Sequence, residues 1–390
     1  MKYIGTRAYG IRTPIIRKGD NLIEIVTESV INASKKEDIT LHDGDIIALT
    51  EAIVAISQGN YATIDHIAKD IRAKYPSGHV GLVFPILSRN RFSLLLKGIA
   101  QGVDKLTILL SYPADEVGNH LISWDDLDRA GINPYTDVLT EQEFRTLFKD
   151  LRHHFTKVDY VEYYKSLGNN IEIIFGNDPR VMLKYTKDVL VADIHNRSRT
   201  KRLLKDAEAH TVYGLDEILT TSIDGSGFNP QYGLLGSNMA TDNMVKLFPR
   251  DCDLVVKSIQ ETMLKKTGKH FEVMVYGDGA FKDPVGRIWE LADPVVAPAY
   301  TEGLQGTPNE LKLKYLVDNE LSTLNSEEVQ AQVIKAIKEK SNNLGHKALG
   351  TTPRQITDLL GSLCDLISGS GDKGTPVVLI QNYFSNYASQ

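Results

Sequence analysis

The run Asp43-Gly44-Asp45-Ile46-Ile47-Ala48-Leu49-Thr50 sets the fold. Gly44 between two aspartates marks a turn, and the short continuous apolar run after it fits a buried strand. Upstream, Leu22, Ile23, Val26, Val30 and Ile31 recur near helical spacing behind Gly19-Asp20, which predicts a helix over 21–31. Downstream, Ile53 to Ser57 continues in β-branched style and ends at Gln58-Gly59-Asn60, which predicts a second strand. The opening 60 residues therefore read as a compact α/β unit.

From about 61 to 232 the pattern alternates. A helix is expected over 64–75, strands at 79–84, 106–111, 171–175 and 188–194, and a basic helix near 199–207. Strands alternating with helices predict a βαβ-type sheet with parallel pairs. After Gly225-Ser226-Gly227 the first style returns, with a strand at 272–276 and a helix over 326–339. A further helix is expected from Pro353 to Ile367, N-capped by Thr351-Thr352, then a strand from Pro376 to Ile380.

Composition narrows the class. The 390 residues carry 44 Lys plus Arg against 50 Asp plus Glu, a net charge of -6, which argues against a general nucleic-acid or membrane-surface binder. Two cysteines, Cys252 and Cys364, exclude a disulfide framework and any Cys-rich zinc site. The segment 1–7 lacks an apolar signal core, and no run approaches the ~18 apolar residues of a membrane span. A cytoplasmic protein is the expectation.

Four segments could carry chemistry. In Gly369-Ser370-Gly371-Asp372-Lys373-Gly374-Thr375-Pro376, three glycines let backbone N–H groups turn toward an anion and Lys373 adds a cation; the same residues also suit a plain glycine-rich turn. Val275-Tyr276-Gly277-Asp278-Gly279 presents a carboxylate at a strand end, with Asp283, Glu290 and Asp293 close behind, which suits a hard cation or a capped turn. Arg89-Asn90-Arg91 at a strand exit offers forked guanidiniums for phosphate or carboxylate, or a solvated surface. The basic cluster from Arg197 to Lys205 reads as a solvated helix face open to an anionic tail. The adjacent His153-His154 cannot share a helix face, no HExxH occurs, and no Gly-x-Ser-x-Gly elbow supports a serine hydrolase.

Taken in order, these segments resemble the coenzyme F420-0:L-glutamate ligase (F420 gamma-glutamyl ligase) family. Thr13-Pro14-Ile15-Ile16 looks like the family's Leu-Pro-Leu-Ile opening, and 45–59 is similar to the strand pair that carries a hydroxyl residue and a lysine near GTP. Leu235-Gly236-Ser237-Asn238 through Leu247-Phe248-Pro249 resembles the Gly-Ile-Asp-x-Ser-Asn segment with its later Leu-Pro. Tyr276-Gly277-Asp278-Gly279 falls on a metal-binding Asp-Thr pair, and 369–376 on the Gly-Glu-Gly-x-Asp-Gly-x-Pro loop. There are departures. Thr50 stands for the hydroxyl residue, yet no lysine occurs from Ala48 to Asn60; Asn238 replaces aspartate, Thr241 asparagine, Gly279 threonine and Ser370 glutamate. Two lost carboxylates lower the negative charge that would hold Mg²⁺ or Mn²⁺.

The resemblance implies an α+β fold, a mixed-sheet ligase core of 1–60 plus 233–390 split by an inserted α/β domain at 61–232, and a homodimer. It implies a GTP-dependent ligase that adds glutamate or another amino acid to a small acidic substrate through an acyl phosphate, with Mg²⁺ or Mn²⁺ as metal. On that carry-over Asp278 and Lys373 are catalytic, and Asp278 and Asn238 hold metal. The nucleotide is lined by Thr13, Pro14, Ile15, Ile16, Thr50, Thr241, Gly369, Ser370, Gly371, Asp372 and Gly374. The alternative is a nucleotide-binding regulatory homologue without ligase activity, and a third is activity seated in the inserted domain.

Overall fold

The computed structural model describes residues 3–89, 91–149, 151–153, 157–278, 295–348, 351, 354–369 and 371–389. Its strands, in chain order, are β1 (Arg7–Ile11), β2 (Ile46–Thr50), β3 (Tyr61–Thr63), β4 (His79–Val83), β5 (Lys105–Leu110), β6 (Leu139–Thr140) and β7 (Ile171–Phe175). They continue with β8 (Asp188–Val191), β9 (Thr211–Gly214), β10 (Asn238–Thr241), β11 (Met244–Lys246), β12 (Glu272–Asp278), β13 (Val295–Tyr300) and β14 (Val377–Gln381). Mixed sheets and helices make an α+β protein.

The first sheet has five strands in the order β1-β14-β2-β12-β13, with β2 parallel to β12 and the other pairs antiparallel. The apolar run of β2 is explained by cover on both faces. Ile47 and Leu49 join a core with Val26 and Val30 of helix Leu22–Lys36 and Val256 and Ile259 of helix Cys252–Thr267. Ile46 and Ala48 point the other way, against Leu360 and Cys364 of helix Ile356–Ile367. Each such fully buried Leu, Ile or Val contributes about 1.5–3 kcal/mol.

A second sheet runs β6-β7-β5-β4-β8-β9, parallel except for β6, and all its strands lie between residues 79 and 214. Leu82 and Ile108 face one core with Ile67 and Ile99 of the helices Ile64–Lys74 and Ser93–Gln101, while Val83 and Leu109 face Met182 and Leu204. The third sheet, β10-β11-β3, joins the two sequence regions: β3 at 61–63 pairs with β11 at 244–246, and Ala62 shares a core with Leu234 and Val245.

Two sequence expectations are corrected. Residues 53–57 form no strand but part of the helix Glu51–Gln58, in which Ile53, Val54 and Ala55 are buried and Ile53 and Val54 join the core with Val26 and Val30. Gly59, at φ +61°, takes the left-handed conformation that closes the helix and donates to the Ala55 and Ile56 carbonyls. Tertiary burial thus overrides the β-branched preference of the segment. The last helix begins at Ile356 behind Gln355, later than the Pro353 start; of its expected caps, Thr351 spends its hydroxyl on the Ala348 carbonyl at 2.8 Å, and Thr352, like Pro353, lies outside the described residues. The Asn21 cap is as expected for a helix start, its Oδ1 accepting from Glu24 N–H at 3.3 Å.

Candidate active site

Four segments leave or enter the five-stranded sheet at the same end. Ile11 closes β1 opposite Val377, so 12–16 departs where the loop 369–376 arrives. Thr50 closes β2, its N–H donating to the Pro376 carbonyl at 3.0 Å. Tyr276 of β12 is level with Thr50, which brings the backbone of Gly277 and Asp278 to the same end. Arg12 Nε donates to the Lys373 carbonyl at 3.4 Å, and Gly10 packs on Thr375, where an added Cβ would stand 3.2 Å from the Thr375 Cβ.

The loop itself is a tight turn. Gly369 pairs with Thr375, Gly374 N–H donates to the Gly371 carbonyl at 3.2 Å, and Gly374 has φ +62°, a position that favours glycine. Gly371, Asp372 and Lys373 are exposed, and the Lys373 stem folds back over Gly369. Ser370 lies outside the described residues, as do Gly279, Asp283, Glu290, Asp293, Asn90 and His154. The backbone of Asp278 ends β12, while its side chain is outside the described set.

Two hydroxyls give this end a polar floor. The Oγ1 atoms of Thr50 and Thr375 are buried and have no hydrogen-bond partner among the described residues. An unpaired buried hydroxyl costs about 1–3 kcal/mol, so both atoms suit an incoming polar group. Thr13 is half-buried and spends its hydroxyl on the Pro14 carbonyl at 2.9 Å. Pro14 is exposed, Ile15 is 85% exposed, and Ile16 packs against the core.

A cation missed by the sequence reading completes the picture. Lys246 of β11 donates to Glu51 Oε1 at 2.7 Å, both side chains being buried, immediately after Thr50. Gly277 faces Glu51 so closely that a Cβ there would lie 2.2 Å from the Glu51 Cγ, which explains a glycine before Asp278. Asn238 is the cross-strand partner of Lys246, so the register carries it toward this group. Thr241 does not join them: it pairs with Met244 at the exposed turn of the hairpin, and its Oγ1 accepts from Asn243 N–H at 3.4 Å.

No group of three His, Cys, Asp or Glu side chains able to hold a metal occurs among the described residues, and the Asp278 side chain lies outside them. The cysteines are inert by environment: burial pushes the Cys252 thiol up to about 12 and raises Cys364 as well. Elsewhere, the basic helix Arg197–Asp206 spends Arg197 on Asp216 at 2.9 Å and Lys201 on Glu217. No helix among the described residues is long and apolar enough to cross a membrane.

Two comparisons place the chain among known proteins. An uncharacterized protein of Methanocaldococcus jannaschii is 42% identical over 55 residues, 14% of this chain and 18% of that protein, so the chain spans under a fifth of the curated relative it matches. The family model described as F420-0:Gamma-glutamyl ligase matches residues 10–382, running through 61–232 as well as the segments that build the site. The chain belongs to the F420-0:Gamma-glutamyl ligase family.

Proposed function

We propose that the chain is a GTP-dependent amide ligase that joins L-glutamate or another amino acid to a small acidic molecule. The observation that carries this reading is the convergence of 12–16, Thr50, the end of β12 and the loop 369–376 at one end of the five-stranded sheet, with the Thr50 and Thr375 hydroxyls there having no partner among the described residues. Family membership supplies the reaction class.

The reaction is an acyl activation. A substrate carboxylate oxygen attacks the γ-phosphorus of GTP and GDP leaves; the amine then attacks the acyl carbon, phosphate leaves and the nitrogen loses its proton. Lys373 and the loop amides of 369–374 hold the phosphates, where preorganised cations and N–H groups favour the charge that builds up in transfer. Thr13 to Ile16 line the nucleotide, and Thr50 donates its hydroxyl to it. Asp278, whose backbone ends β12, and Asn238, which pairs with Lys246 across β10 and β11, are the residues that would hold a metal. The described donors give no basis for routing a step through Mg²⁺ or Mn²⁺.

Residues 61–232 form an α/β insertion in this scheme, since the six-stranded sheet lies wholly between 79 and 214. For a homodimer, the outer edge of β1 has no strand partner among the described residues; the open groove of about 1390 Å³ beside it includes Arg12, Thr13, Pro14 and Thr375 of the nucleotide site. A second reading, a nucleotide-binding regulator, draws on Asn238 and on the cation of Lys246 being already spent on Glu51. Phosphate release from GTP, measured with acidic acceptors with and without glutamate, separates the two. The ligase releases phosphate only when acceptor and amine are both present; nucleotide binding without amine-dependent release favours the regulator.

A further inference from the structure

The six-stranded sheet carries a cavity that the ligase reading does not use. From β4 the parallel strands run outward through β5 to β7, and the chain then returns to the other flank of β4 with β8 and β9. The order reverses between β4 and β8, and in open parallel sheets ligands bind beyond the carboxyl ends of the strands at such a reversal. A cavity of about 220 Å³ opens there, lined by Phe84 after β4, Ser111 and Glu116 after β5, Asn177 after β7, and Asp193 and Arg199 after β8.

Nucleotides are common occupants of this topology, and two features argue against one here. The turn after β4 is Phe84-Pro85-Ile86-Leu87-Ser88, without the glycines that let a backbone approach pyrophosphate. The amides of the three residues just before helix Arg197–Asp206 are also spent on a side chain. Ile194 N–H donates to Glu116 Oε2 at 2.7 Å, and the N–H groups of His195 and Asn196 donate to Glu116 Oε1 at 3.0 and 2.8 Å. The protein's own carboxylate thus sits where a phosphate would.

What remains open is an acceptor. Asp193 is 2% exposed; its Oδ2 accepts from the Thr200 hydroxyl at 2.7 Å, while its buried Oδ1 has no hydrogen-bond partner among the described residues. Asp115 nearby is already satisfied, accepting from Leu87, Val117 and Asn119 backbone N–H groups at 2.8, 3.1 and 2.8 Å. At the rim Arg199 is exposed. Three acidic side chains line the cavity, Asp115, Glu116 and Asp193, of which Asp193 keeps an oxygen without a partner among the described residues; with the Arg199 guanidinium outside they form the charge pattern of a zwitterion's host. The small volume, below the ~300–1,000 Å³ of drug-sized sites, limits the guest to a few heavy atoms.

We propose that this cavity binds a free α-amino acid, its ammonium on Asp193 Oδ1 beside Glu116 and its carboxylate against Arg199. The site is separate from the ligase core and does not rest on that function.

The test is calorimetric titration of the full chain with the standard L-amino acids, their N-acetyl derivatives, ribose and glycerol. At least one amino acid binds, and its N-acetyl derivative, ribose and glycerol do not. Asp193→Asn weakens that binding at least tenfold and Arg199→Ala several-fold, whereas Lys373→Ala in the core loop does not weaken it. Arg199 is at the surface, so its variant folds and reports independently of Asp193. Binding of no amino acid, equal binding of the N-acetyl form or a polyol, or survival of binding in both cavity variants overturns the proposal. Loss of binding in Lys373→Ala with retention in Asp193→Asn overturns it too, by moving the amino acid to the ligase core.

Discussion

Replacing Asp193 by asparagine changes how the six-stranded sheet responds to pH, and the size follows from the structure. Burial is the main cause that pushes the Asp193 carboxyl from 3.8 up to about 7; Glu116 adds to the rise, and the Thr200 hydroxyl and Arg197 oppose it. The basic Arg199 lines the same cavity from the rim. At about 1.4 kcal/mol per pH unit, the difference makes the ionised side chain cost about 4 kcal/mol. Between pH 3.8 and about 7 the folded state keeps a proton that the unfolded chain has released, so stability falls as pH rises through that window. Above it the cost is complete, and below it absent.

Asparagine does not titrate, so the stability of Asp193→Asn minus that of the wild type rises by about 4 kcal/mol from pH 4 to pH 8. A constant offset from altered hydrogen bonding drops out of that comparison. Urea titrations read by amide exchange in peptides from β4 and β8 assign the transition to this sheet. Parallel pH curves for the two proteins would refute the reasoning, because they would mean that Asp193 ionises as freely as in the unfolded chain. A carboxylate kept at such cost is the kind of group found where a ligand repays it.

Three further outcomes are expected. Lys246→Ala leaves Glu51 buried without its cation and lowers stability by about 3–5 kcal/mol in urea unfolding, while pairing it with Glu51→Gln restores part of the loss. Asp278→Asn abolishes amine-dependent phosphate release with little change in the thermal transition; unaltered turnover removes Asp278 from the chemistry. Because burial raises both thiols, Cys252 and Cys364 resist iodoacetamide at pH 8 in the folded protein and react after unfolding, and rapid labelling of the native chain would contradict their burial.

What the sequence made legible follows from where the information sits. The strand at 46–50 was readable because helices cover both its faces, which leaves a local apolar run. The helix at 51–58 was not, since Ile53, Val54 and Ile56 look like strand residues, and only packing together with the left-handed Gly59 decides against it. The glycine loop announced itself by composition, and its nearness to Thr50 and β12 came through family order. Lys246 carried no signal, because its partner Glu51 is 195 residues away in the chain. Asp193 was hidden inside a strand-like run, and its position at the reversal between β4 and β8 exists only once the strand order is known.

The central claim is that the end of the five-stranded sheet holds a nucleotide. A thermal-shift titration of the wild type and Lys373→Ala with GTP, ATP and GDP tests it directly, since a ligand that binds only the folded state adds about 2.7 kcal/mol at 100 times its dissociation constant. GTP is expected to raise the transition of the wild type, and Lys373→Ala to lose most of the shift. No shift with any nucleotide, or a full shift retained in Lys373→Ala, would contradict it.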